Sequence, residues 1–399
     1  MNLIRPIFPI GKSLYPLLVA IFLFLPSKGT AADFSGDFSL AAGERYNDNL
    51  FLGKNERQGD FVTLIAPSLD LALSSKTITA RLSYSPHFSF YSSQNQLNDT
   101  EHRLSANLDV KPSQLFNFNI KDEYIRSNET NEQITFPGVG PIRRLVLLQS
   151  NVASADASYS PVRRIELGLS GSFFYSQLDT TPQLDTHVST LSGSIKYLSR
   201  PTTSYFISAG TSHFGFDREP AANSQSYQVG INHKFTPTLI SELSGGVEFT
   251  ETEGGFSHTD FTGRFALIKQ TPRGNYSIIL GRSSQAAIES QETVTDTSLK
   301  LLASHELTKR LTLSADGLLN RYQSFNGPAL KQTALAAITN LEYKLNPLTK
   351  IAVSYDFIYF KDDINSSNNY HDNIVTVSFV FTYSAKKSKT APAPQPPAL

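Results

Sequence analysis

The chain has 399 residues, its 35 Lys and Arg balance 35 Asp and Glu, and it contains no cysteine. Zero net charge leaves no global field to recruit nucleic acid or an anionic surface, and the absence of thiols excludes disulfides, thiolate nucleophiles and Cys-metal sites. With 27 Phe, 17 Tyr and no Trp, and a slightly negative mean hydropathy, the composition suits strands that show an apolar face every second residue, not membrane helices.

Residues 1–32 read as a cleaved secretory signal. Arg5 and Lys12 supply the positive segment, Leu17 to Leu25 the apolar core and Thr30-Ala31-Ala32 the small-residue cleavage site. An apolar core of about nine residues is short of the roughly 20 that a spanning helix needs. Residues 33–383 then carry an even strand rhythm, which points to one large β domain.

Phe34 to Arg45 is a first strand leading into Tyr46-Asn47-Asp48-Asn49-Leu50-Phe51-Leu52 and a long loop. Asp60 to Leu73 is the second strand, Ser74-Ser75-Lys76 a tight turn, and Thr77 to Tyr91 the third strand. In the third strand Ile78, Ala80, Leu82, Tyr84, Phe88 and Phe90 share one face, and Arg81, Ser83, Ser85, His87 and Ser89 the other. From there a unit repeats: strand, short turn, strand, longer polar loop. Most of the turns carry Pro, as at Pro112, Pro161, Pro201, Pro237, Pro272 and Pro347, and Leu307 to Arg310 makes another. Proline presets φ and cannot donate within a ladder, so it marks strand ends. The longer loops include Ser92 to Glu101, Asn128 to Leu147, Ala287 to Glu292 and Lys361 to Asn369.

Alternation of short turns with longer loops is the topology of a transmembrane antiparallel up-and-down β-barrel of the Gram-negative outer membrane, turns in the periplasm and loops outside. A propeller or β-helix has no reason for that regularity. Counting gives about eighteen strands, or sixteen or twenty if strands are merged or missed. Outer-membrane lipid is the implied surroundings, because in lipid every backbone amide must be paired and only a closed barrel achieves that with strands.

Period-2 alternation puts Phe116, Phe118, Ile120, Leu167, Leu243, Phe261, Val353 and Phe357 outward. It puts Lys121, Glu123, Arg164, Glu166, Glu242, Glu248, Arg264, Asp316 and Asp356 on an inner, hydrated wall, as candidate lumen-facing residues. Asn128 to Leu147, with Pro137-Gly138-Val139-Gly140-Pro141 and the pair Arg143 and Arg144, is the candidate constriction loop. Residues 384–399, rich in Lys and Pro, read as a disordered periplasmic tail.

Signals for chemistry are weak. The eight histidines show no i, i+4 or His-Glu-x-x-His spacing, so no metal site is expected. His258 with Asp260, or His371 with Asp372, lacks a nucleophile-elbow context and reads as polar rim. Asn47-Asp48-Asn49 lacks Ca²⁺-loop spacing and reads as a turn cluster. No catalytic residue, cofactor or nucleic-acid partner is expected.

The closing strand Tyr370 to Tyr383 also carries Thr376, Ser378, Phe381 and Tyr383 in a run that resembles the C-terminal insertion signal of outer-membrane barrels, with Ser378 where Gly is usual. The barrel-assembly machinery would be its reader. The stretch Gly43 to Leu52, then Asp60 to Leu69 and Leu82 to Tyr91, resembles the β-barrel porins found with exopolysaccharide gene clusters. That resemblance implies a channel taking part in exopolysaccharide export, working beside a periplasmic polysaccharide-export protein, and brings no catalytic residues. The residues themselves leave open a solute-uptake porin, which would want a loop folded into the pore, and a surface scaffold whose barrel only displays loops.

Overall fold

The computed structural model of the protein describes residues 33–55, 57–128, 146–180, 183–325 and 330–386. The signal segment, Arg143 and Arg144, and residues 387–399 lie outside the described residues; residues 384–386, read from sequence as the start of the tail, instead extend the last strand, paired with residues 35–37.

Eighteen strands form one sheet. The first nine are β1 (Asp33–Asn47), β2 (Asp60–Ser74), β3 (Ile78–Tyr91), β4 (Asp99–Val110), β5 (Phe116–Ser127), β6 (Leu148–Val162), β7 (Ile165–Leu178), β8 (Leu184–Arg200) and β9 (Thr203–Phe216). The others are β10 (Ala222–Thr236), β11 (Leu239–Thr252), β12 (Ser257–Thr271), β13 (Gly274–Ala287), β14 (Glu292–Glu306), β15 (Leu311–Ser324), β16 (Lys331–Lys344), β17 (Thr349–Asp362) and β18 (Tyr370–Lys386). Each pairs antiparallel with its sequence neighbours, and β1 pairs with β18, Phe38 opposite Tyr383, so the sheet closes on itself without an edge.

Alternation explains the closure. On β2 and β3, Ile65, Leu69, Phe88 and Tyr84 face outward as cross-strand pairs, while Asp70 and Ser83 pair on the inner face. The outer face shows Phe38, Leu169, Ile195, Val229, Leu243, Phe261, Val377 and Phe379 to its surroundings, each more than two-fifths exposed. In water such a belt would be an aggregation surface; in lipid it is the solvated face. The turns at the end that holds both termini are short, two residues between β8 and β9 and between β10 and β11, and the loops at the other end are longer. By the rule for such barrels the short-turn end is periplasmic.

One ladder departs from this regularity. β11 and β12 stay paired up to Glu251 opposite Ser257, and β13 and β14 up to Ala287 opposite Glu292. Between them, β12 and β13 pair only as far as Gly263 opposite Arg282. Above that point the extracellular half of the β13–β14 hairpin leaves the wall.

Candidate functional site

The lumen has a wet half and a packed half. Toward the periplasm, the inner faces of β1 to β5 line a cavity of about 580 Å³ with Asp37, Asp70, Arg81, Asn107, Lys121 and Glu123, a size that suits a small hydrophilic molecule. Acidic Asp37 and Asp70 lie beside basic Arg81 and Lys121, so the shelf holds both signs. A smaller cavity of about 200 Å³ against β5 to β8 is lined by Asn117, Asp156 and Ser158 with Ser170, Ser192 and Ser194. Elsewhere the inner wall carries ion pairs: Glu242 with Arg264 at 3.3 Å, Glu166 with Lys196 at 3.7 Å and Glu342 with Lys350 at 2.7 Å.

Toward the cell exterior the lumen is packed. The β13–β14 tip enters it with each face against a wall. Along β13 and β14, Ile278, Leu280, Leu299 and Leu301 occupy the lipid-facing register; continued upward, that same register holds Arg282, Ser284, Ala286, Thr297, Thr295 and Thr293. These residues meet the inner faces of β9 to β12. Arg282 makes two bonds to Asp260, at 2.9 and 2.8 Å, and Thr295 Oγ1 donates to Asp260 Oδ2 at 2.8 Å. Ser284 N–H donates to Glu248 Oε2 at 3.0 Å, and Ala286 packs on Phe214. Carboxylates thus take the place of the missing ladder: Glu248 accepts from the β13 amide, and Asp260 Oδ1 accepts from Phe261 N–H on its own strand at 2.7 Å.

The opposite face of the hairpin joins an apolar cluster. Ala287 and Val294 pack there with Tyr322, Ala334, Ile358 and Phe360 from β15 to β17. At the apex Ile288, fully buried, reaches the far wall and packs with Ile125, Leu148, Phe174, Leu178 and Leu184 of β5 to β8. Gln291 locks the apex. Its Nε2 donates to Thr186 Oγ1 and to Ile288 O, both at 2.8 Å, and its Oε1 accepts from Asp217 N–H at 3.0 Å.

A second segment folds in beside it. Between β1 and β2, Leu50 packs with Val62 and Tyr91, and Leu52 joins the cluster of Phe360 and Tyr370. Asn49, fully buried, holds this loop through Nδ2 to His371 O at 2.7 Å and to Gly53 O at 2.9 Å, and through Gly53 N–H to its Oδ1 at 2.9 Å. Asp48 accepts from Asn373 N–H at 2.9 Å and Nδ2 at 2.8 Å and pairs with Arg57. Burial alone would raise the Asp48 carboxyl, but these donors and the Arg57 charge outweigh it and hold it below its ordinary value. The residues with a left-handed φ other than glycine, among those described, are Leu52 at 56° and Gln291 at 58°. Each sits in one of the two inserted segments, where packing holds a conformation that costs about 1–2 kcal/mol.

Sequence-selected residues fall at several levels. Lys121 and Glu123 line the larger cavity. Glu166, Glu242, Arg264 and Asp316 occupy the inner register of their strands. Glu248 and Asp356 also point inward, but they are 7% and 6% exposed, packed into the plugged half instead of open to a lumen. Arg164 is a correction: it lies in the two-residue turn between β6 and β7, because β6 runs through Pro161 to Val162 before turning. Two segments fold inward, the β13–β14 tip within the loop read from sequence as Ala287 to Glu292 and the β1–β2 loop around Leu50 and Leu52; the signal of the first is the polar residues on the lipid-facing register of β13 and β14. Thr376 and Ser378 face inward on β18, and Phe381 and Tyr383 outward. His258 Nε2 is 3.8 Å from Asp260, whose oxygens are committed to Arg282 and Thr295, and His371 bonds Arg57 from the face opposite Asp372. Among the described residues no group of three or more His, Asp or Glu could hold a metal ion.

The architecture, a closed even-stranded barrel with an apolar outer belt, a polar inner wall and short turns at the terminal end, is that of a transmembrane β-barrel of the Gram-negative outer membrane. No protein-family model and no curated protein matches the sequence. Among solved structures the chain is similar to the outer membrane protein OpdK from Pseudomonas aeruginosa, at 10% identity over 88% of this chain and 99% of that one, with a TM-score of 0.46. It is similar at the same score to OccAB4 from Acinetobacter baumannii, 10% identical over 90% of this chain and 100% of that one. The siderophore receptor PirA from Acinetobacter baumannii is 5% identical over 90% and 81%, again at 0.46.

Proposed function

We propose that the chain is a channel for small hydrophilic solutes whose lumen is occluded by the β13–β14 tip and opens when the tip leaves its seat. The observation that carries this reading is the tip itself: an element of the wall diverted into the lumen, above a polar chamber of about 580 Å³. The chamber offers hydroxyls, amides and charges of both signs, which can exchange hydrogen bonds with a hydrated solute without desolvating it fully. Exopolysaccharide export, which the family resemblance implies, needs a bore open to a polymer through the full height. The packed extracellular half weighs against a permanently open one.

Liposome swelling with a size series of neutral sugars and charged amino acids, on the wild type and on a variant with residues 285–294 replaced by a short Gly-Ser turn, tests the proposal. Slow, size-limited entry through the wild type and faster entry of larger solutes through the variant are expected. Passage of a long polysaccharide through the wild type, or no flux through a folded variant, would sink it.

A further inference from the structure

The break between β12 and β13 also shapes the outside of the barrel. Because the hairpin turns inward, a cleft of about 450 Å³ opens between the top of β12 and the tops of β15 and β16. His258 and Asp260 line it from β12, Arg282 and Thr295 from the hairpin, Arg321 from β15 and Lys331 from β16. At its rim the His258 ring stacks on Phe325, centroids 4.6 Å apart and planes 23° from parallel.

Charge in the cleft is unevenly satisfied. Asp260 is used up by Arg282, Thr295 and its own strand amide. Lys331 is 3.7 Å from Asp363, which Lys361 already holds at 2.6 Å. Exposed Arg321 makes no hydrogen bond or direct ion pair among the described residues and feels the Asp363 carboxylate, which Lys361 and Lys331 also share, only at longer range. Arg282, Arg321, Lys331 and Lys361 thus outnumber Asp260 and Asp363, and the cleft presents a net positive face.

Its height is set by the belt below it. Two residues before Arg321 on the same face of β15 stands Leu319, 39% exposed, and two before Arg282 on β13 stands Leu280, 45% exposed. The cations begin where the apolar belt ends, at the long-loop end, which is the level of the outer-leaflet headgroups.

We propose that this cleft binds the phosphorylated sugar headgroup of an outer-leaflet glycolipid. Arg321 and Lys331 take a phosphate, for which a planar guanidinium and a point-charge ammonium are the fitting donors. The His258–Phe325 stack flanks the sugar, and the acyl chains run down over Leu319 and Leu280. A lipid-tethered ligand fits better than a free one because Arg321 and Lys331 continue the lipid-facing register of Leu319 on β15 and β16.

The test is native mass spectrometry of the full barrel in neutral detergent. The probes are bis-phosphorylated lipid A, its dephosphorylated form, phosphatidylglycerol and inorganic phosphate. Bis-phosphorylated lipid A should bind in preference to the other three, and each cation removed should weaken it about fivefold, so that Arg321→Gln with Lys331→Gln loses about 25-fold. Both side chains are at the surface, and heat-modifiable gel mobility verifies that the variants are folded. Equal binding of the dephosphorylated lipid, of phosphatidylglycerol or of inorganic phosphate, or unchanged affinity in the folded double variant, would overturn the proposal.

Discussion

Seating of the β13–β14 tip can be weakened without touching the wall, through Ile288→Ala together with Gln291→Ala. Ile288 is fully buried among five apolar side chains of the far wall, so truncation should cost the seated state about 3 kcal/mol, within the range for buried Ile or Leu. Gln291 makes two hydrogen bonds from the tip to its surroundings, to Thr186 Oγ1 at 2.8 Å and from Asp217 N–H at 3.0 Å; as neutral bonds exchanged for water they contribute roughly 1 kcal/mol each at most. The two residues share one apex and their costs will not add fully, so ~3–4 kcal/mol is the working figure. At about 1.4 kcal/mol per decade, the unseated fraction should rise on the order of 10²- to 10³-fold. Single-channel recording in planar bilayers reads this as a higher open probability with conductance per opening unchanged. Gln291→Gly should open the channel slightly less than Gln291→Ala, because glycine relieves the left-handed strain at φ 58°. A folded double variant with wild-type open probability would refute the idea that these contacts hold the tip.

Other outcomes follow from the same contacts. Asn49→Asp keeps the acceptor for Gly53 N–H but loses both donors, so the β1–β2 loop should lose about 2–3 kcal/mol and become open to protease, read by limited proteolysis. The Asp48 carboxyl is held below its ordinary value near 3.8; its latch is fully present above that pH and is lost as pH falls through the depressed folded value, so hydrogen exchange at 48–52 should rise only in strong acid. Lys121→Glu, on the chamber wall, should shift ion selectivity toward cations, measured as a reversal potential across a salt gradient. Gly43→Val would place a Cβ 2.3 Å from the Val377 carbonyl oxygen at the β1–β18 seam; backbone must move there, and the yield of heat-modifiable, closed barrel should fall.

Much of this was written along the chain as local pattern. Period-2 alternation determined which side of Val377, Leu243 or Glu242 faces lipid, because successive Cβ atoms must alternate in a strand whatever the strand pairs with. Turn and loop lengths determined the up-and-down order, and lipid's inability to solvate backbone left closure as the only answer. What alternation cannot report is a strand that keeps its pleat while bending out of the sheet. Arg282 and Thr295 sit on the same register as Leu280 and Leu299, and only the tertiary structure turns that register from the lipid toward Asp260 and Glu248. The fate of Ile288 was likewise invisible: its partners on β5 to β8 are more than a hundred residues away in sequence. Tertiary structure alone decided that the hairpin tip packs across the lumen, since that depends on which distant inner faces the barrel's circumference brings within its reach.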